Sequence, residues 1–523
     1  MKKLFLSVAM VALALLPASA QTTISEEMAY KIKSEAFDKS SIDGLSEYMT
    51  DLLGSRLAGS QQMTRAEQLV VQKLKDMGLS NPRVEWAFDM DKGGWDSQKN
   101  YVAMTAPYYC SFAANPKAWS GSTKGLVKGE VVVVNVQSEA DLENYKGKLA
   151  GKIALLPVTQ TYQIDFNPLA YRYTEDQLDE IATDNRPEGY NFRRTAQGGS
   201  TITREQYMRQ RELQQKTTEM LQKEGVLCII NTRGTFNVTS GTGTRYKIGD
   251  PEPAPEIILP LEDGGRMYRL IQSGQKVEME LELKNEFTNN KKINNVIAEI
   301  PGTDPKLKNE VVLIGAHLDS WHSSTGGADN SSGCIVMMEA MRILKDLGVQ
   351  PKRTIRIALW GGEEQGLYGS RGYMENNIYN LSSHKTLSGY DKFALYLNMD
   401  NGSGRFRGIY LEHNDLAKPY FAAWMKPIED LGFKTLSPRS TGSTDHVTFN
   451  NVGLPAYQFI QDELEYERTY HTNMDTWERL SLDDLKVDAC MVAVLALSAA
   501  NDSGRIPLKP GYPEAAANAR SPY

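Results

Sequence analysis

Seven side chains in the C-terminal half of the chain carry groups that can bind a divalent metal and move a proton. They are His317 and Asp319 in GAHLDSW, Asp329 in GGADNSSG, Glu363 and Glu364 in WGGEEQG, Asp400 in LNMDNG and His471 in YHTNMDT. Imidazole and carboxylate are the donors that hold zinc, and a carboxylate beside a bound ligand can act as base toward a water. Singly, each has an ordinary structural role: a histidine closing a strand, an aspartate capping a helix, two glutamates in a solvated loop. Together they supply two imidazoles and three carboxylates as ligands, one carboxylate left over for proton transfer, and a further one, Asp319, to support an imidazole. With Asp329 as a bridge, each of two metals receives three protein ligands and keeps positions open for water and substrate.

The local contexts sharpen this. In a strand, residues i and i+2 share a face, so Asp319 can accept the second imidazole N–H of His317 and set its tautomer. Glu363 and Glu364 repel one another unless one binds a cation and the other takes a proton. Asp400 follows an apolar run, and burying a carboxylate is costly unless it is paired or metal-bound. Asp475, four residues after His471, is the expected orienting partner of that imidazole. His446, beside Asp445, could support the ligands from behind.

These residues sit on alternating elements. Strand-like runs at 311–317, 354–360, 393–400 and 455–460 alternate with helical stretches at about 330–347, from Gly366, and at about 420–431. That alternation predicts a largely parallel sheet covered on both faces, with ligands bound beyond the carboxyl ends of its strands. His317 ends the first run, the Glu pair follows the second, and Asp400 ends the third. Upstream, residues 25–80 read as helical, and a helix from Gln61 is stopped by Gly78. Short β-branched runs (GEVVVVN, GKIALL, VLCIIN, PEIILP, KVEMELEL) fill 118–287 around a polar stretch that holds a helix over 204–224. Asn285–Lys292 reads as a linker. The expected division is a signal peptide at 1–20, an N-terminal part of the catalytic domain at 21–117, an insert at 118–287, the catalytic domain at 288–503 and a loose tail at 504–523.

The first twenty residues have the anatomy of a secretion signal: Lys2 and Lys3, the apolar run Leu4–Leu16, then Ala18-Ser19-Ala20. The apolar run is too short to span a bilayer, which takes roughly 20 residues. An exported protein, periplasmic or extracellular, without a membrane span is therefore expected. Of 58 basic residues, removal of the two leader lysines leaves 56 against 65 acidic ones, a formal charge of −9. No basic stripe marks a nucleic-acid surface. The four cysteines lie far apart with no CxxC pair, and Cys334 and Cys490 fall in apolar helical patterns, where buried thiols are expected.

HLDSW, GGADNSSG, GGEEQGLYGSRGY, NMDNG, STDHVTF and HTNMDT resemble the M28 zinc peptidases. GSRLAGS, the Trp119 region, GKIALL and PKRTIRIALWGGEEQG resemble the carboxypeptidase Q branch. The resemblance implies an α/β fold with a mixed, mostly parallel central sheet flanked by helices, interrupted by a β-rich protease-associated domain. It implies two zinc ions, one held by His317 and Asp400 and the other by Glu364 and His471, with Asp329 bridging. It implies Glu363 as general base, Asp319 and Asp475 as supports of the histidines, and a homodimer. His322 stands where that branch more often carries Asp, outside the ligand set. The expected activity is aminopeptidase hydrolysis of peptide bonds near a free N-terminus. The alternatives are dipeptidase or carboxypeptidase action on short peptides, glutaminyl cyclase chemistry, and a metal-free relative without activity.

Overall fold

A computed structural model describes residues 24–184, 203–243 and 245–512; the leader predicted at 1–20 lies outside them. The fold is mixed α/β, built around two eight-stranded sheets. In the first, the strand order is 80–89, 292–300, 354–360, 311–317, 393–398, 456–461, 406–410 and 435–437. The strand Val311–His317 runs parallel to both neighbours, 354–360 and 393–398, and 393–398 runs parallel to 456–461. The outer strands 80–89 and 292–300 are antiparallel additions.

Alternation along these strands divides the core in two. Val312, Ile314 and Ala316 face one layer, which holds the helices Glu26–Asp38, Ser332–Asp346 and Leu482–Asn501. Leu313, Ala358, Trp360 and Tyr396 face the other, with Tyr373 and Phe449. Burial on both faces explains why these strands read as continuous apolar runs. Helix Gln61–Asp76 buries Met63, Ala66, Val70 and Leu74 at helical spacing. Ser60 caps it by accepting from the Met63 amide, and Gly78, at φ +73°, ends it.

The second sheet has the order 110–111, 94–106, 278–288, 127–133, 153–155, 228–232, 256–259 and 115–116, with its own apolar core. Strand Gly94–Ala106, from the stretch assigned to the N-terminal part of the catalytic domain, pairs with Glu278–Thr288 in this sheet. The segment expected to be a linker, 285–292, is strand up to Thr288 and again from Lys292. Its polar letters hid an alternation that continues from the preceding residues, Leu281, Leu283 and Asn285 being buried while Lys284 and Glu286 are exposed. The two antiparallel ribbons, 80–89 with 292–300 and 94–106 with 278–288, thus run from one sheet into the other.

Helix Arg204–Glu224 starts at Thr203, whose hydroxyl accepts from the Gln206 amide, and ends at Gly225 in the left-handed conformation. The tail expected to be loose is ordered as far as residue 512: Leu508 and Tyr512 pack against the second layer of the first sheet, and Asn414 donates to the Pro507 carbonyl. All four cysteines are free, and Cys334 and Cys490 are buried. No helix among the described residues is long and apolar enough to cross a membrane.

Candidate metal centre

Three adjacent parallel strands deliver donors to one edge of the first sheet. His317 closes its strand, Asp400 lies two residues past the strand ending at Asn398, and Glu363 and Glu364 lie in the turn after Trp360. Asp329 comes from the loop that enters helix 332–346, and His471 from the loop before residue 477. Two donor groups result. His317, Asp329 and Asp400 offer ligand atoms within 4.8 Å of one another, and so do Asp329, Glu364 and His471. Asp329 belongs to both: its Oδ1 lies 3.1 Å from His317 Nε2 and its Oδ2 3.0 Å from His471 Nε2. His317 Nε2 is 3.4 Å from Asp400 Oδ1, and His471 Nε2 is 3.0 Å from Glu364 Oε2. Glu363 belongs to neither group.

The charges are concentrated and dry. Burial alone would lower the His471 pKa, but the Asp329 and Glu364 carboxylates raise it to about 11. Burial likewise opposes, and Asp400 with Asp319 and Asp329 overcomes, in raising His317 well above its ordinary value. Burial, with Asp329 adding to it, pushes Glu364 up to about 7. Burial also pushes Glu363 well above the usual carboxylate range, reinforced by Asp400, Asp445 and Glu364. So many buried anions around two imidazoles call for further positive charge. The residues fit a pair of divalent cations on a second count: Glu364 Oε1 is buried with no hydrogen-bond partner, an acceptor ready for a metal. The side chains of His317, Asp329, Glu364 and Asp400 are at most 10% exposed while that of His471 is 39% exposed, so the centre opens to solvent on the His471 side. A small cavity there is lined by Trp321, Ser324, Asp329, Glu364, His471 and Thr472, among others.

Two supporting roles differ from expectation. The Asp319 carboxylate stands 3.7 Å from His317 Nδ1, and the nearer acceptor, at 3.0 Å, is the Asp319 carbonyl. The carboxylate instead accepts from the amides of Glu363 and Glu364, at 3.1 and 3.2 Å. It therefore shapes the Glu-pair turn. Asp475 does not reach the His471 ring as an acceptor. Its carboxylate accepts from the amides of Ala328 and Asp329, at 2.6 and 3.0 Å. In both cases a turn with unpaired amide donors competes for the carboxylate and wins.

Three contributors escaped the sequence reading. Arg56 is fully buried and donates to the carbonyls of Met49, Gly54, Leu318 and Thr325 and to the Ser331 hydroxyl. It thereby pins the stretch after His317 to the loop that carries Asp329. Asn330 donates to the Met399 carbonyl at 2.9 Å, tying that loop to the strand that leads into Asp400. Trp321 Nε1 donates to Glu364 Oε2 at 2.7 Å. The signals were the lone Arg in GSRLAGS and the Asn beside Asp329, and neither names its partner. His446 lies behind the centre, 3.3 Å from Glu412. His322 Nε2 donates to the Pro116 carbonyl at 2.6 Å and joins neither donor group.

Comparison with known proteins shows what the chain is similar to. Residues 295–496 match peptidase family M28. Carboxypeptidase Q of Mus musculus is 26% identical over 462 residues, covering 88% of this chain and 85% of that protein. A peptidase M28 precursor from Shewanella amazonensis shares the fold, with a TM-score of 0.65 at 24% identity over 93% of this chain and 99% of that one. A zinc aminopeptidase from Bacillus subtilis matches with a TM-score of 0.50 at 20% identity, over 91% and 95% of the two chains.

Proposed function

We propose that this metallopeptidase, whose residues 295–496 match peptidase family M28, is an exported dinuclear zinc exopeptidase acting near a free N-terminus. The observation that carries the reading is the shared position of Asp329, which faces His317 with one carboxylate oxygen and His471 with the other. His317 and Asp400 would hold one ion, Glu364 and His471 the other, and Asp329 both. Such ions, when bound, supply Lewis acidity that makes a water easier to deprotonate and a carbonyl more electrophilic. Zinc is favoured by the mixed imidazole and carboxylate donors and by the likeness to a zinc aminopeptidase.

The chain's own residues then do the following. Glu363, half-buried beside the donors but outside both groups, takes the proton of the attacking water and delivers it to the leaving amine. Asp319 holds the Glu363 and Glu364 amides and so fixes where that carboxylate points. Half-buried Tyr466 lies near enough to Asp329, Asp400 and Glu364 for their charges to add to desolvation in raising its phenol pKa. Its hydroxyl is read as the donor to the developing oxyanion. The second sheet is read as a protease-associated domain inserted ahead of the catalytic one. Export rests on the leader-like residues 1–20.

A second reading, dipeptidase or carboxypeptidase action, is favoured by the 26% identity to carboxypeptidase Q over most of the chain. A panel of free, N-blocked and C-blocked dipeptides, assayed with zinc content measured on the same sample, tests both. Cleavage of free and C-blocked but not N-blocked peptides is the expected result. Cleavage that requires a free C-terminus would select the second reading, and no cleavage of any peptide would remove both.

A further inference from the structure

Exposed apolar side chains of the second-sheet half of the chain are tied, through residues 237–240, to the segment that carries His471. His471 is the most exposed donor, and its ring lies 4.6 Å from that of Tyr470. The segment that carries it is clamped along one side. Ser240 N donates to the His471 carbonyl at 2.7 Å, Thr239 bridges Thr472, Val238 N donates to Asn473 Oδ1 at 2.9 Å and Asn237 Nδ2 to the Arg468 carbonyl at 2.6 Å. The next residue outward is Phe236. Its ring is T-shaped to Tyr162 at 5.8 Å, and Phe166 and Ile164 follow on the same segment as Tyr162. Tyr162, Ile164, Phe166, Phe236, Tyr470 and Met474 are all exposed.

Two features set this ledge apart from scattered surface hydrophobics. Exposed apolar groups gathered beside a functional opening mark binding surfaces. In addition, Phe236 is 76% exposed and adopts φ +65°, a left-handed conformation that disfavours a bulky side chain. The fold gains no core packing from the ring it holds there. Strain kept without a packing reward is characteristic of functional positions.

We infer that the Tyr162–Phe236 ledge binds a bulky apolar side chain of the peptide substrate, so that the second-sheet half selects what the metal centre cleaves. The occupant is a peptide because the ledge is continuous, through residues 237–240, with the backbone on either side of His471, the most exposed of the donors. This rests on the peptidase reading above, but its test does not depend on turnover.

The test compares Ala-Ala-Ala with Phe-Ala-Ala, Ala-Phe-Ala and Ala-Ala-Phe. Binding is measured by calorimetry on zinc-loaded Glu363→Gln protein with and without Tyr162→Ser and Phe236→Ser, and kcat/KM is measured in the active background. Both ledge side chains are exposed, so their removal leaves the core intact. At least one phenylalanyl peptide should lose about tenfold in affinity, the order expected for one apolar side chain, with Ala-Ala-Ala unchanged. Equal losses for all four peptides, or none, would overturn the inference. So would sedimentation showing that the double variant turns a dimer into a monomer, which would assign the ledge to a second copy. If no peptide is cleaved yet the selective loss of binding remains, the peptidase reading fails and the ledge stands.

Discussion

Asp475 holds the backbone of Asp329 rather than the ring of His471: its two carboxylate oxygens accept from the amides of Ala328 and Asp329 at 2.6 and 3.0 Å. Asp329 is the residue common to both donor groups. The loop that aims it is therefore the point at which both sites can be loosened at once.

Asp475→Asn keeps the shape but replaces one acceptor with a donor facing an amide. Zinc affinity should fall about 10–100-fold, as for other residues that support ligands from behind, and activity should return as zinc is added. Zinc titration with a competing chelator measures it. Unchanged affinity would mean that the loop holds its shape without this carboxylate.

Glu363→Gln should keep its zinc and lose about 10²–10⁴-fold in kcat, the usual contribution of general base catalysis. Metal analysis and peptide hydrolysis on one sample check it. A fully active variant would sink the assignment of the base, and a metal-free one would move Glu363 into the ligand set.

Arg56→Met should destabilise the fold rather than the chemistry alone. The guanidinium satisfies five carbonyls, that of Gly326 among them, and a hydroxyl from three segments of chain, and methionine leaves them buried and unpaired. A loss of about 3 kcal/mol or more is expected, seen as a lower urea midpoint in the zinc-free protein. Urea unfolding without zinc separates this from weaker metal binding.

Glu67 gives a pH dependence away from the metal centre. Burial raises its pKa from 4.5 to about 7, against the opposing hydrogen bond from Asn294. Between pH 4.5 and 7 the folded state holds a proton that the unfolded state has released, so stability falls as pH rises through that window and levels off above it. The full effect is about 3 kcal/mol. Glu67→Gln should therefore match the wild type near pH 4.5 and exceed it at pH 8, by chemical denaturation at both values. Equal stability at pH 8 would show that the buried carboxylate is not penalised.

What could be read from the residues alone was the inventory of groups and the rhythm of the elements. Apolar runs at 311–317 and 354–360 mark strands that the structure reproduces residue for residue, because a strand buried on both faces must be apolar along its whole length. His317, the Glu pair and Asp400 were legible as neighbours because each follows such a run, and parallel strands bring their carboxyl ends to one edge. Less was legible where pattern and polarity disagree. Asn285–Lys292 looked like a linker because its letters are polar, yet it carries most of the turn and flanking strand that link the two sheets.

Only the tertiary structure decided who holds whom. A carboxylate accepts from any donor within reach, and the sequence says nothing about which amides the folded turns leave unpaired. Asp319 and Asp475 therefore went to backbone amides 44 and 146 residues away instead of the histidines beside them in the chain. Arg56 found its partners in loops more than 260 residues downstream. Covalent order sets which groups exist and which local element each joins. Contacts over hundreds of residues depend on how the layers stack, and that is fixed by burial of both sheets and not by spacing along the chain.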